Sequence, residues 1–430
     1  MEYHKAFDAH EPATAFSIGS FDVKVYSLTM MFGMLFSILG ILYYWKKQKY
    51  SIEALQILTL IVIPCSLIGA RVWYVLGNLD SPATPPDGWG KHWFAAWEGG
   101  MAIQGGVMGA ILGGFGYVWS KRRILDPRTV LTYVVPAVLI GQAIGRWGNF
   151  ANHEVYGKVD ETGVWSSWMG DYIHSNMFIR SGDGEHYRVP LFFYEFMTSV
   201  VGFIILHFVM NTFNWTKPGV TAGGYFAWYG TVRIIMEPLR DPSDYMYWFD
   251  GKVEASVFTS AIFIIAGILL ILYSTFDKYV RAFFTNWGKN MAVKGGYVDY
   301  SDEPKRKSEQ RSTNFKKGLK AFWVSSPFKG YKETLNETKP KYTRIKIEQR
   351  YFFITWPLKT SVFVVSAFKG MFTSANYKEV KQQMIEKYAN YKPMSWRFKS
   401  HIWVREHELV KFEEGYVEPE REKKNVRKSK

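Results

Sequence analysis

The chain has 430 residues, 48% hydrophobic and 18% aromatic, with a mean hydropathy of −0.12. Its formal charge of +15 is unevenly spread: residues 277–430 carry 34 Lys and Arg against 17 Asp and Glu, leaving 19 against 21 in residues 1–276. A single cysteine, Cys65, excludes an intrachain disulfide and any cysteine-based metal cluster. The near-neutral front part, rich in apolar runs of membrane length, excludes an ordinary soluble enzyme.

Residues 1–20 hold acids and histidines in place of a basic stretch followed by an apolar one, so no cleavable signal peptide is expected. About 20 apolar residues cross a bilayer core. By that measure seven spans are expected, at about 26–45, 54–76, 101–119, 129–144, 191–210, 219–236 and 257–273. The fold class is therefore an all-α polytopic membrane protein. Cys65 falls inside the second span, where a small buried hydrophobe is the expected role. A Pro- and Gly-rich loop, 77–97, joins spans two and three. The polar loop 148–190 keeps Tyr156, Trp165, Trp168, Tyr172 and Tyr187, which predicts a small cap rather than disorder.

Lys46-Lys47-Gln48-Lys49 follows span one, Lys121-Arg122-Arg123 follows span three, and the basic tail follows span seven. Lysine and arginine concentrate on the cytoplasmic side, so the N-terminus is expected outside and the tail inside. The two domains are read as a membrane part, 1–276, and a basic cytoplasmic extension, 277–430. In the extension, basic residues interleave with aromatic stretches such as 321–330 and 351–356. That composition predicts docking to the anionic inner leaflet, at about 1 kcal/mol per basic residue. A solvated extension is the alternative, and a nucleic-acid contact shares the composition but is not expected. Residues 324–330 and 364–370 agree at five of seven positions, a hint of duplication. Pro357 and Lys359 interrupt the apolar run 351–368, so no eighth span is expected; 421–430 is expected to be disordered.

The densest polar feature is Gly145-Arg146-Trp147-Gly148-Asn149-Phe150-Ala151-Asn152-His153-Glu154-Val155-Tyr156-Gly157, directly after the fourth apolar run. Glycine frees the backbone, asparagine favours turns, and arginine at the hydrocarbon edge is costly unless paired. These residues predict a helix that breaks near Ile144 to build a polar site at the outer surface. Arg146 suits a phosphate, because its planar fork binds two oxygens and keeps its charge. Two further arginines lie within apolar spans, Arg71 and Arg233. Arg233, Glu237 and Arg240 share one helical face, and the first two can pair along it.

The stretch 145–157 resembles the signature G-R-x-G-N-F-x-N-x-E-x-x-G of the bacterial prolipoprotein diacylglyceryl transferases, matched at every fixed position. The run 230–240 resembles that family's second motif, G-x-x-R-x-x-x-E-x-x-R. Tyr26, Gly69-Ala70-Arg71, the glycine-rich 97–106 segment and Pro190 with Tyr194-Glu195 fall in family order, so the resemblance covers about residues 20–275. Two positions depart from it. Gln104 stands where histidine is usual, and Val189 precedes Pro190 where histidine is common.

The resemblance implies transfer of an sn-1,2-diacylglyceryl group from phosphatidylglycerol to the lipobox cysteine of a prolipoprotein in a bacterial cell membrane. Arg146 and Arg233 would hold the phosphate leaving group, Asn149 the head group, and Gly157 would permit close backbone approach. Glu154 would orient Arg146 or the glycerol hydroxyls; the lesser alternative is that Asn149 and Glu154 cap a broken helix. Arg71, Gln104, Glu237 and Arg240 are the remaining candidates for substrate binding. The attacking thiol comes from the substrate, and only its thiolate reacts. Gln104 cannot accept its proton at neutral pH, which leaves Tyr26, Glu154 and His153 as weaker acceptors. No metal or organic cofactor is implied. A catalytically silent lipid- or lipobox-binding relative and an anion transporter are the competing readings; repeated halves, which the latter predicts, are not evident.

Overall fold

The computed structural model describes residues 6–10, 13–19, 21–79, 93, 100–242, 245, 247–248, 253–295, 320, 322–350 and 397–413. A short strand β1 (Phe7–Asp8) and the hairpin β2 (Thr14–Ile18) and β3 (Phe21–Lys24) lead into the bundle. α1 (Val25–Lys47) and α2 (Ile52–Gly77) follow, then α3 (Ile103–Ser120) and α4 (Pro127–Ala151). α1 lies along α4, and α2 along α3. α4 starts where the sequence dictates: Asp126 accepts from the Thr129 amide, and Pro127 occupies the first turn, where its missing N–H is harmless.

One expectation fails here. The fourth helix does not stop near Ile144 but runs through Arg146 to Ala151. The glycines in this stretch serve helix contact instead of helix breaking. A Cβ at Gly148 would stand 2.4 Å from Thr29 Oγ1 and 2.8 Å from the Tyr26 ring. Glycine lets α1 approach α4 closely enough to bring Tyr26 beside the signature.

The 148–190 loop folds as a cap. Short helices α5 (Val164–Ser167) and α6 (Asp171–Asn176) precede the hairpin β4 (Phe178–Ser181) and β5 (Gly184–Tyr187), and β1 pairs parallel with β4. Its core joins Phe150 and Phe192 from the bundle to Met177 and Ile179 of the cap. The strands are an addition to the all-α expectation. α7 (Leu191–Gly202) continues through a π-helical stretch, Phe203–Val209, into α8 (Met210–Phe213). α9 (Val220–Met236) packs on α10 (Ala255–Thr275), and the paired strands β6 (Tyr247–Trp248) and β7 (Val253–Glu254) lie between them in sequence.

Helices thus stand at all seven expected places. Among the described residues, five segments are long and apolar enough to cross a membrane: α1, α2, α4, Leu191–Phe213 and α10. α3 and α9, with 18 and 17 residues, are at the short end of the spanning range. Leu60, Leu112, Ile235 and Ile265 point outward, as lipid-facing side chains must. The protein is a membrane protein.

The described part of the tail folds against the bundle. α11 (Asp277–Gly295) continues from α10 and packs on α12 (Tyr331–Glu337), with Thr334 Oγ1 donating to Asn286 Oδ1 at 3.0 Å. β8 (Tyr342–Arg350) then pairs antiparallel with β9 (Arg397–Arg405). Tyr342 donates to Asp126 Oδ2 at 2.7 Å, Lys341 to Asp126 Oδ1 at 3.2 Å, and Arg405 to the Arg122 carbonyl at 2.9 Å. This docked segment corrects the picture of a simple solvated extension for 331–350 and 397–413. The apolar run 351–368, the second copy of the duplication hint and the 421–430 end lie outside the described residues.

Candidate active site

The signature end of the bundle gathers three arginines around two buried glutamates. On the last turns of α4, Arg146 donates to Asn149 Oδ1 at 3.2 Å, and Asn149 Nδ2 donates to Glu154 Oε1 at 2.7 Å. Arg146 Nε also lies 2.7 Å from Glu195 Oε2, on the first turns of α7. From α9, Arg233 reaches Glu237 at 3.2 Å and Glu195 at 3.8 Å. Arg240, just past α9, lies 3.6 Å from Glu195 and 3.9 Å from Glu237. Arg233 Nε further donates to Ser256 Oγ at 2.9 Å. Three of these five ion pairs are therefore charge contacts too long to be hydrogen bonds.

Exposure runs in the useful direction. Arg146 and Arg233 side chains are 27% and 21% exposed, whereas Glu195 and Glu237 are 7% and 6%. The carboxylates are the more deeply buried partners, and the guanidinium groups of Arg146 and Arg233 keep the greater exposure. Such an arrangement presents cationic donors to an anion while the buried glutamates hold them in place. A further carboxyl, Glu254 at the start of α10, is raised above the ordinary glutamate range by its hydrogen bond to Glu237, with burial adding to it.

The other expected residues are placed as follows. Tyr26 packs on Gly148, within electrostatic reach of Glu154 and Arg146. Gly157 donates to the Val189 carbonyl at 2.9 Å and forms a β-bridge with Arg240. A Cβ there would come within 2.6 Å of the Leu239 carbonyl oxygen, so glycine is what allows this approach. Glu154 reaches Arg146 only through Asn149. Arg71 is buried in α2 and donates to the Gly100 carbonyl at 3.1 Å, where the chain enters α3. Gln104 lies in the first turn of α3, with its side chain outside the described residues, as are Trp97, Glu98 and Gly99. His153 stacks on Phe7 and lies 3.3 Å from Asn176 Oδ1, which fits an interfacial role. Val155 adopts φ +54°, a conformation a β-branched residue rarely takes, between Glu154 and Tyr156.

Sequence reasoning missed two residues. Glu195, which entered only through the family resemblance, is the carboxylate common to all three arginines. Arg188 is 1% exposed, donates to Asp241 Oδ2 at 2.5 Å and pairs with Asp183, and its guanidinium lies 5.0 Å from the Tyr156 ring. It ties the cap to the segment after α9. A lone arginine in a polar loop gave no periodic signal, whereas the acid after Tyr194 in an apolar span was visible as a charge needing a partner.

The model of the prolipoprotein diacylglyceryl transferase family matches residues 13–273. A phosphatidylglycerol–prolipoprotein diacylglyceryl transferase of Mycoplasmopsis pulmonis is 41% identical over 272 residues, covering 62% of this chain and 81% of the relative. One from Streptococcus agalactiae is 32% identical over 267 residues, covering 62% and 97%. One from Mycoplasmoides gallisepticum is 32% identical over 295 residues, covering 61% and 76%. With its signature arginine and its second arginine motif meeting on one glutamate, the chain belongs to the prolipoprotein diacylglyceryl transferase family.

Proposed function

We propose that this protein transfers the diacylglyceryl group of phosphatidylglycerol to the lipobox cysteine of prolipoproteins, the reaction its relatives' names describe. The substrate thiolate attacks the glyceryl carbon that carries the phosphate ester. A C–S thioether forms, the C–O bond breaks, and glycerol phosphate leaves with the electron pair. The observation that carries this reading is the meeting of Arg146, Arg233 and Arg240 on Glu195 and Glu237. Negative charge grows on the leaving phosphate oxygen as the bond breaks, and preorganised cations lower that barrier most. Asn149 would direct the glycerol head group, and Tyr26 would sit at its edge. The same positive field favours the substrate thiolate, so the reaction does not require a histidine at position 104.

The catalytic unit is read as 1–276, in a bacterial plasma membrane, with the signature end outside and the 277–430 extension on the cytoplasmic side. Trp323, Phe328 and Phe284, 79%, 71% and 60% exposed, support contact of that extension with an anionic inner leaflet rather than with nucleic acid.

Transfer of labelled diacylglyceryl from phosphatidylglycerol to a lipobox peptide tests the reading with purified wild type, Arg146→Ala and Gln104→His. Wild type is expected to be active and Arg146→Ala to lose about 10³-fold. Inactive wild type rescued by Gln104→His would establish the silent-relative reading, and inactivity of both would return the site to binding or transport.

A further inference from the structure

A second cationic site lies at the other end of α1 from Tyr26. The C-terminal turn of α1 and the docked tail flank an open pocket of about 660 Å³, lined by Lys46, Lys47, Lys49, Lys346 and Glu413 together with apolar residues that include Phe412. That volume suits a small ligand or a lipid head group. Four lysines face one carboxylate among these lining residues. Lys47 is 8% exposed, and its ammonium donates to the Thr212 carbonyl at 3.1 Å and the Asn211 carbonyl at 3.5 Å. Lys49 donates to the Lys411 carbonyl and stands 4.8 Å from the Phe412 ring centre. The positive field extends to β9. His401, paired in register with Lys346, is held below the ordinary histidine range, first by desolvation and then by Arg344, Lys346 and Lys47.

Lysines at a helix C-terminus complement its dipole, and that accounts for Lys46 and Lys47. It does not account for Lys346, which a strand of the tail brings to the same cavity. We propose that this cavity binds a phosphate group, carried either by the head group of an anionic phospholipid or by a soluble phosphate. The lipid source rests on the membrane placement proposed above; the phosphate chemistry rests on the cavity alone.

Hydrogen exchange of peptides covering 342–350 and 397–413 tests this on the full-length protein in nanodiscs. Three arms are compared: phosphatidylcholine alone, phosphatidylcholine with phosphatidylglycerol, and phosphatidylcholine with inorganic phosphate against chloride at equal ionic strength. A bound phosphate is expected to slow exchange about tenfold, the scale of one charge-assisted anchor, and Lys46→Gln/Lys346→Gln is expected to abolish that protection. Protection only with phosphatidylglycerol assigns the lipid, and protection with inorganic phosphate assigns the soluble source. Equal exchange in all arms, or equal protection in the double variant, would overturn the site. Diacylglyceryl transfer is measured on the phosphatidylglycerol sample, so its loss with protection retained refutes the enzyme reading and leaves the cavity standing.

Discussion

The two ends of the bundle both bury charge, and they do it differently. At the tail end, Asp126 takes Tyr342 at 2.7 Å and Lys341 at 3.2 Å, and Arg128 meets Asp277 at 2.6 Å. At the signature end Arg146–Glu195, at 2.7 Å, and Arg233–Glu237, at 3.2 Å, are comparably close, while the remaining contacts of Arg233 and Arg240 with the two glutamates lie at 3.6 to 3.9 Å. Tightly paired buried ions stabilise an arrangement because removing one partner strands the other. Loosely paired arginines over buried carboxylates leave donors oriented toward charge that arrives with the substrate. One end is a lock and the other a cradle.

The largest test of that contrast is Arg233→Ala. Transfer is expected to fall about 10²- to 10³-fold with little change in thermal unfolding, measured on the same preparation; a large drop in stability would make the cradle a lock. Asp126→Asn should do the opposite, costing about 3 kcal/mol of stability while transfer per folded molecule persists. Burial alone would raise the Asp126 carboxyl, but Lys341, the Tyr342 hydroxyl and Arg405 outweigh it and hold it below the ordinary carboxylate range. Its stabilising contribution is therefore complete above about pH 4 and lost as pH falls through the depressed folded value. Protease sensitivity of residues 397–413 should accordingly rise only in acid for wild type, and be raised at all pH values in the variant. Gly157→Ala sharpens the comparison from the backbone. Its Cβ would displace the Leu239–Arg240 segment, and a misplacement of that kind is expected to lower transfer by about 10²-fold, seen in kcat more than in binding of phosphatidylglycerol.

Much of the cradle was readable because its parts are local. Arg146, Asn149 and Glu154 fall within one short stretch, and Arg233, Glu237 and Arg240 share one helical face. Glu195 was not assigned its role, because a carboxylate that serves three arginines from two other helices has no spacing of its own. The extension of α4 to Ala151 was missed for a related reason. Glycine and asparagine disfavour helix locally, but the close approach of α1 over Gly148 favours it in the assembled bundle. The helix positions followed from apolar run length alone. The docking of β8 and β9 on Asp126 did not, since pairing across hundreds of residues leaves no period in the chain.

Asp126 also sets an order of events during synthesis. It caps α4 early, yet Lys341, Tyr342 and Arg405 emerge from the ribosome only after the bundle's helices have been made. At roughly 5–20 residues per second, on the order of tens of seconds separate Asp126 from Arg405. The bundle's helices are therefore made before the partners that offset this carboxylate, and the docking of the tail is a later step.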